Sequence, residues 1–110
     1  MLTKKDIQVN RKIFSETDKS IAAAFKVLSD VNRYRIFRIL AQQPKISVSD
    51  ISLILGISLP LTSQHIKILT YANLLQKERT GKKVFPKLEL DNPFVQAVVR
   101  AIQQILKTAN

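Results

Sequence analysis

Residues 51–69 read ISLILGISLPLTSQHIKIL, and the fold turns on how this stretch is read. It divides into two short helices joined by a tight turn. Ile51, Leu53, Ile54 and Leu55 supply an apolar first helix. Gly56 ends it, because glycine accepts the left-handed backbone that a helix C-terminus often needs. Ser58 is placed to cap the next helix by taking a free backbone N–H. Pro60 falls in the first turn, where its missing N–H costs nothing. In the second helix Thr62, Ile66 and Leu69 recur at helical spacing and face inward. Leu61, Ser63, Gln64 and Lys67 then form a mostly polar outer face, with His65 near its edge. A capped helix with such a face, held by an apolar partner helix, suits the DNA major groove. Taken alone the pattern is only moderately specific, since small helical domains contain it by chance.

Outward from this centre, the N-terminal side reads as helices. Thr3 followed by Asp6 has the spacing of a capping box, predicting a short helix through about Phe14. Asp18 is expected to cap a helix over Lys19–Ser29, apolar at Ile21, Ala22, Phe25 and Leu28 and widened by Ala23, Ala24 and Val27. Asp30 is expected to cap a third helix over Val31–Gln43, with Tyr34, Ile36, Phe37 and Leu40 inward and Pro44 ending it. Arg33 lies in its first turn, where a cation opposes the helix dipole. That placement points to a carboxylate or phosphate partner, or equally to a solvated side chain. Ser47 and Asp50 make a second capping pair, at the start of the central stretch.

On the C-terminal side, Tyr71-Ala72-Asn73 closes the second helix with Asn where Gly is usual. The periodicity then changes. Leu75–Thr80 and Val84–Leu90 read as two strands about a Gly81-Lys82-Lys83 turn. Pro86 cannot donate to a ladder, so its strand is expected at an edge. Within Lys77–Lys87 there are five cations, Lys77, Arg79, Lys82, Lys83 and Lys87, against Glu78 alone. Such cations protect an exposed edge from aggregation, and the two in the turn also suit a sugar-phosphate backbone. Asp91-Asn92-Pro93 opens a last helix, to about Lys107.

The chain has 110 residues, 45% of them apolar, enough for one domain with one core. Eighteen Lys and Arg against eight Asp and Glu give a net charge of +10, which predicts a polyanionic partner. There is no cysteine, so there is no disulfide, thiolate metal site or thiol switch. No apolar run approaches a membrane span, and MLTKKDIQVN lacks the apolar block of a secretory signal. A cytoplasmic protein without membrane contact is expected.

The last helix is apolar over most of its circumference, with Phe94, Val95, Val98, Val99, Ile102, Ile105 and Leu106 among its residues. A domain this small cannot easily cover that surface itself. A homodimer answers the problem, with an interface expected at Ile21, Phe25, Phe94, Val98, Ala101, Ile102 and Ile105. Two-fold symmetry would set two reading helices about 34 Å apart, one turn of B-DNA.

The order of these elements resembles the ArsR type of winged helix-turn-helix. LSDVNRYRIFRIL at 28–40, DISLILGISLPLTSQHIKIL at 50–69 and GKKVFPKL at 81–88 carry the resemblance, which runs from about Ala22 to Leu106. It implies a mainly α fold with a small β-hairpin. A three-helix core would carry a wing, flanked by N- and C-terminal dimerisation helices. Residues 1–110 then form one domain, with N-terminal helices at 1–29, the helix-turn-helix at 47–71, the wing at 74–90 and the dimerisation helix at 93–107. The implied function is a dimeric, DNA-binding transcriptional repressor. The expected DNA-binding residues are Ser58, Pro60, Leu61, Ser63, Gln64, His65 and Lys67 on the helix, with Arg79, Lys82 and Lys83 on the wing. Gln64 falls where the family sets a side chain over the bases, and glutamine can bond adenine N6 and N7. Leu61 suits a thymine methyl, or packs on the preceding turn.

The departures from the family pattern concern sensing. Many members hold metal through cysteines in the segment matching 45–51, which here is KISVSDI, with Ser47 and Ser49 at the thiol positions. Serine is a poor ligand for soft metals, and the last helix lacks the family's His and acidic ligands. No metal site and no cofactor are therefore expected, and a small-molecule or protein effector is left open. No catalytic residues are expected either: one His, no Cys and no phosphate-loop pattern argue against an enzyme. Ser63 and His65 do not face one another on a helix. The rival readings are a winged helix used for protein–protein contact and a non-specific DNA binder.

Overall fold

The computed structural model describes residues 1–109. Its elements run α1 (Lys4–Arg11), α2 (Thr17–Leu28), α3 (Val31–Gln42), α4 (Val48–Leu55), α5 (Leu59–Tyr71), β1 (Leu75–Thr80), β2 (Lys83–Leu88) and α6 (Pro93–Ala109). The two strands form an antiparallel sheet from Leu75↔Leu88 to Thr80↔Lys83. The core lies where α3, α4, α5 and the base of the hairpin meet. Ile36, Phe37 and Leu40 of α3 pack with Ile51, Ile66, Leu69, Leu74, Leu75, Leu88 and Val95. Each such side chain contributes about 1.5–3 kcal/mol by leaving water.

Local chemistry explains most boundaries. Thr3 and Asp6 cap α1, and Ser47 and Asp50 cap α4, each pair exchanging both bonds of the capping box. The Asp30 carboxylate takes the N–H groups of Asn32 and Arg33 to start α3. Gln43 is extended, as a residue before proline must be to avoid the ring, and α3 ends there. Gly56 sits at φ 67 and Ser58 accepts from Leu61 N–H at 3.2 Å, so the turn between α4 and α5 forms as its residues dictate. The Ser52 hydroxyl donates to the Ile57 carbonyl at 2.7 Å and ties the turn back to α4. Asn73 takes φ 64 after α5, and Leu74 N–H returns to the Leu69 carbonyl. Asn92 caps α6 by accepting from Phe94 N–H.

Several expectations need correction. α1 stops at Arg11 rather than Phe14, because Ile13 and Phe14 are exposed and nothing rewards another helical turn. Asp18 is not the cap of α2. The helix begins earlier, at Thr17, and Asp18 reaches back to accept from Ser15 N–H at 3.0 Å. Lys83 belongs to β2, which leaves a two-residue turn of Gly81 and Lys82. Positive φ at Gly81 alone gives a type II′ turn, which matches the twist of the paired strands. β2 ends at Leu88 and α6 runs on to Ala109. Leu53 and Ile54 do not join the core: α4 buries only Ile51 and Ser52. Pro86 opposes Lys77, and a two-stranded sheet gives either strand an open edge to carry it.

The Cα radius of gyration is 17.5 Å, against about 13 Å for a compact chain of this length. α1 has no buried residue and α6 has one, Val95. These two helices, with the outer face of α2, leave apolar surface that the chain does not cover itself.

Candidate nucleic-acid interface

α5 is held by its inner face. Thr62, Ile66 and Leu69 are buried, and the Thr62 hydroxyl donates to the Ser58 carbonyl at 2.9 Å. Ser58, Pro60, Leu61, Ser63, Gln64 and Lys67 are all exposed, so the helix presents its N-terminal half to solvent. Ser58 both caps the helix and stands at its exposed tip, next to the positive end of the helix dipole.

His65 departs from this set. It is only 8% exposed and its Nδ1 lies 3.4 Å from Nη1 of Arg33 on α3. It braces α5 from behind and does not belong to the outer surface. Arg33 likewise finds neither a carboxylate bridge nor open solvent. Its Nε donates to the Val27 carbonyl at 2.7 Å.

The hairpin stands beside the N-terminus of α5. Lys77, Lys82 and Lys83 join Ser47, Ser49 and Ser63 along an open groove of about 270 Å³ between the start of α4, α5 and the strands. Lys77 was absent from the expected contact residues. The signal for it was its alternation with Arg79, which puts both on one face of β1. Among the described residues Lys87 pairs with Glu78 at 3.6 Å, an exposed contact of little energetic weight. Lys77, Arg79, Lys82 and Lys83 make no ion pair within 4.0 Å among the described residues. Hydrogen bonds from Ser47, its hydroxyl first and then its backbone N–H, hold the Asp50 carboxyl below the usual range, with a smaller contribution from Lys83. Among the described residues the groove is therefore lined by three cations and no carboxylate.

The expected dimer residues divide into two groups. Ile21, Phe25, Ala101 and Ile105 are exposed, whereas Phe94, Val98 and Ile102 are half-buried against the chain's own core. Phe25 and Phe94 bridge the groups through an edge-to-face contact with centroids 5.0 Å apart.

Comparison with known proteins agrees with this architecture. The model of the arsR family of bacterial regulatory proteins matches residues 30–77, which covers α3, the helix-turn-helix and the start of the wing. The cadmium resistance transcriptional regulatory protein CadC of Listeria innocua is 32% identical over 81 residues, 71% of this chain and 68% of that protein. The arsenical resistance operon repressor of Bacillus subtilis is 37% identical over 67 residues, 61% of this chain and 64% of that protein. Among solved structures, the homodimeric winged helix-turn-helix DNA-binding domain of Mb0332 from Mycobacterium bovis superposes with a TM-score of 0.69 at 18% identity. It covers 97% of this chain and 89% of that one. With a relative of this identity and coverage, and with the winged helix-turn-helix in place, the chain belongs to the arsR family of bacterial regulatory proteins: it is a transcriptional regulator, not an enzyme.

Proposed function

We propose that the protein is a sequence-specific repressor that binds double-stranded DNA as a homodimer and carries no metal or thiol sensor. One observation supports this above the rest. Leu59 and Ser63 of α5 and the wing cations Lys77, Lys82 and Lys83 line one groove, and Ser58, Leu61, Gln64 and Lys67 are exposed on the same helix. In this reading Gln64, with Leu61, Ser63 and Lys67, meets base edges in the major groove. Ser58, Arg79, Lys82 and Lys83 meet phosphates and set the register. Pro60 shapes the first turn without supplying a donor. The exposed apolar faces of α2 and α6 supply the dimer contact, and the homodimeric Mycobacterium bovis domain agrees with it. The arsenical repressor's name supports repression as the direction of control. Among the described residues no single helix is long and apolar enough to cross a membrane, and a cytoplasmic site follows from the DNA target.

The CadC relative is named for cadmium resistance, yet the residues here do not suit a soft metal. The Ser47 hydroxyl is engaged in capping α4, and the chain has no thiol.

Selection of bound duplexes from a random pool tests the reading. A shared half-site sequence, repeated about one helical turn apart, is the expected result. A pool that stays random at high affinity would leave a non-specific binder, and no retained DNA would leave a protein-contact module. Salt titration adds a second check: replacing Lys82 and Lys83 by Ala should flatten the salt slope by about two phosphate contacts.

A further inference from the structure

Arg33 and His65 sit where three helices meet. Arg33 is in the first turn of α3, and its backbone N–H donates to the Asp30 carboxylate at 3.1 Å. Its Nε reaches the Val27 carbonyl near the end of α2 at 2.7 Å, and Nη1 faces Nδ1 of His65, on α5, at 3.4 Å. A guanidinium has only donors. Nδ1 of His65 must therefore be the acceptor, which places the ring proton on Nε2. A ring protonated at both nitrogens has no lone pair to offer and turns a positive charge toward Arg33.

We propose that Arg33 and His65 form a positioning clamp for the recognition helix, and that it closes only while His65 is neutral, so that DNA binding weakens on acidification. Gln64 and His65 are neighbours in the chain, and Lys67 is two further on. Any shift that frees the ring rotates the outward side chains with it. His65 is thus a positioning residue: it acts on DNA through the helix that carries it.

The charged groups around the ring favour this assignment. α3 presents Arg33 and, at its cap, Asp30. α2 contributes the Val27 carbonyl, with Lys26 exposed in its last turn. The ionisable group of α4 is Asp50, which is held by Ser47. Lys77, Glu78 and Arg79 of β1 and Lys67 of α5 are exposed. Asp30 attracts an imidazolium and Arg33 repels one, but only Arg33 bonds the ring. Oδ1 of Asp30 accepts from the N–H groups of Asn32 and Arg33. The backbone bond from Arg33, above all, keeps that carboxyl below its usual range, so Asp30 stays charged while imidazoles titrate.

Only the binding part of this inference rests on the DNA-binding reading. The chain has a single His, so its ring signals are unambiguous in nitrogen-15 NMR of the intact, DNA-free protein. At about pH 8 the Nε2–H tautomer is expected, and an Nδ1–H tautomer overturns the clamp. Affinity for a duplex taken from the random-pool selection is then measured from about pH 8 to about pH 5.5. The wild-type affinity should fall about tenfold, the loss of one charge-assisted hydrogen bond. His65→Asn sets an amide oxygen near the Nδ1 position without a titrating proton, so its affinity should stay level over the same range. A parallel fall in both proteins overturns the proposal. The ring measurement needs no DNA, so failure of the clamp and failure of the DNA-binding reading are read separately.

Discussion

α5 and α6 differ in where their apolar residues end up. α5 has 13 residues and buries four of them, while its outer positions stay polar or project singly. α6 has 17 residues and buries one, although it is the more apolar-faced helix. The stripe of α5 matches the width of the core that receives it, so the helix is complete within one chain. α6 offers more apolar surface than α2, α3 and the hairpin can cover. Ile105 remains 62% exposed and Phe25, also in the expected interface, 59%. One helix is finished by its own chain, and the other reads as half of a contact.

The strongest way to break this comparison is to empty the inner face of α5. Leu69→Ala should cost about 2–5 kcal/mol in denaturant unfolding, because Leu69 is fully buried and the cavity cannot collapse around rigid neighbours. The cost should not depend on protein concentration. Next comes α6. Ile105→Asp should leave the monomer fold intact by circular dichroism but remove the dimer in sedimentation, and with it the concentration dependence of the melting temperature. An unchanged sedimentation coefficient would show α6 unpaired in the wild type. Gln64→Ala sharpens the outer face of α5: discrimination should relax by about 1–3 kcal/mol at one base position, with stability unaltered. Binding selection on the variant reads this directly.

The smallest expected effect concerns the caps. Asp6, Asp30 and Asp50 are all held below the usual carboxylate range by hydrogen bonds at helix starts, chiefly from Thr3, Arg33 and Ser47. A carboxyl lowered on folding contributes stability above its unfolded value, about pH 4, and loses it as pH falls through the lower folded value. Thermal stability should therefore decline below about pH 4. Asp50→Asn should shrink that decline, with circular dichroism melts as the measure.

Much of the centre was legible because each boundary has a residue that causes it. Gly56, Ser58 and Asn73 each solve a local backbone problem, and a local problem can be read from one chain of letters. The strand register did not follow from it: the expected turn held Lys83 as well, whereas the two-residue turn of Gly81 and Lys82 sets Thr80 opposite Lys83. What escaped was tertiary. His65 lies between the buried positions Thr62, Ile66 and Leu69, and only the approach of Arg33 from α3 turns it from edge to interior. Leu53 and Ile54 look like core residues by type, but α4 is two turns long and has room for one buried stripe. Asp18 has cap chemistry, yet the chain enters α2 two residues earlier than expected, at Thr17. Lys77 gains meaning only when the hairpin lies against α4.

Asn73 is the one non-glycine residue at positive φ among those described. Its carbonyl accepts from Nδ2 of Asn92, 19 positions on, and the other end of that amide starts α6. The tail of α5 and the head of α6 are thus pinned by a single side chain. In the proposed dimer, the spacing between the two copies of α5 is then inherited from how the α6 helices meet, with one amide as the lever's pivot.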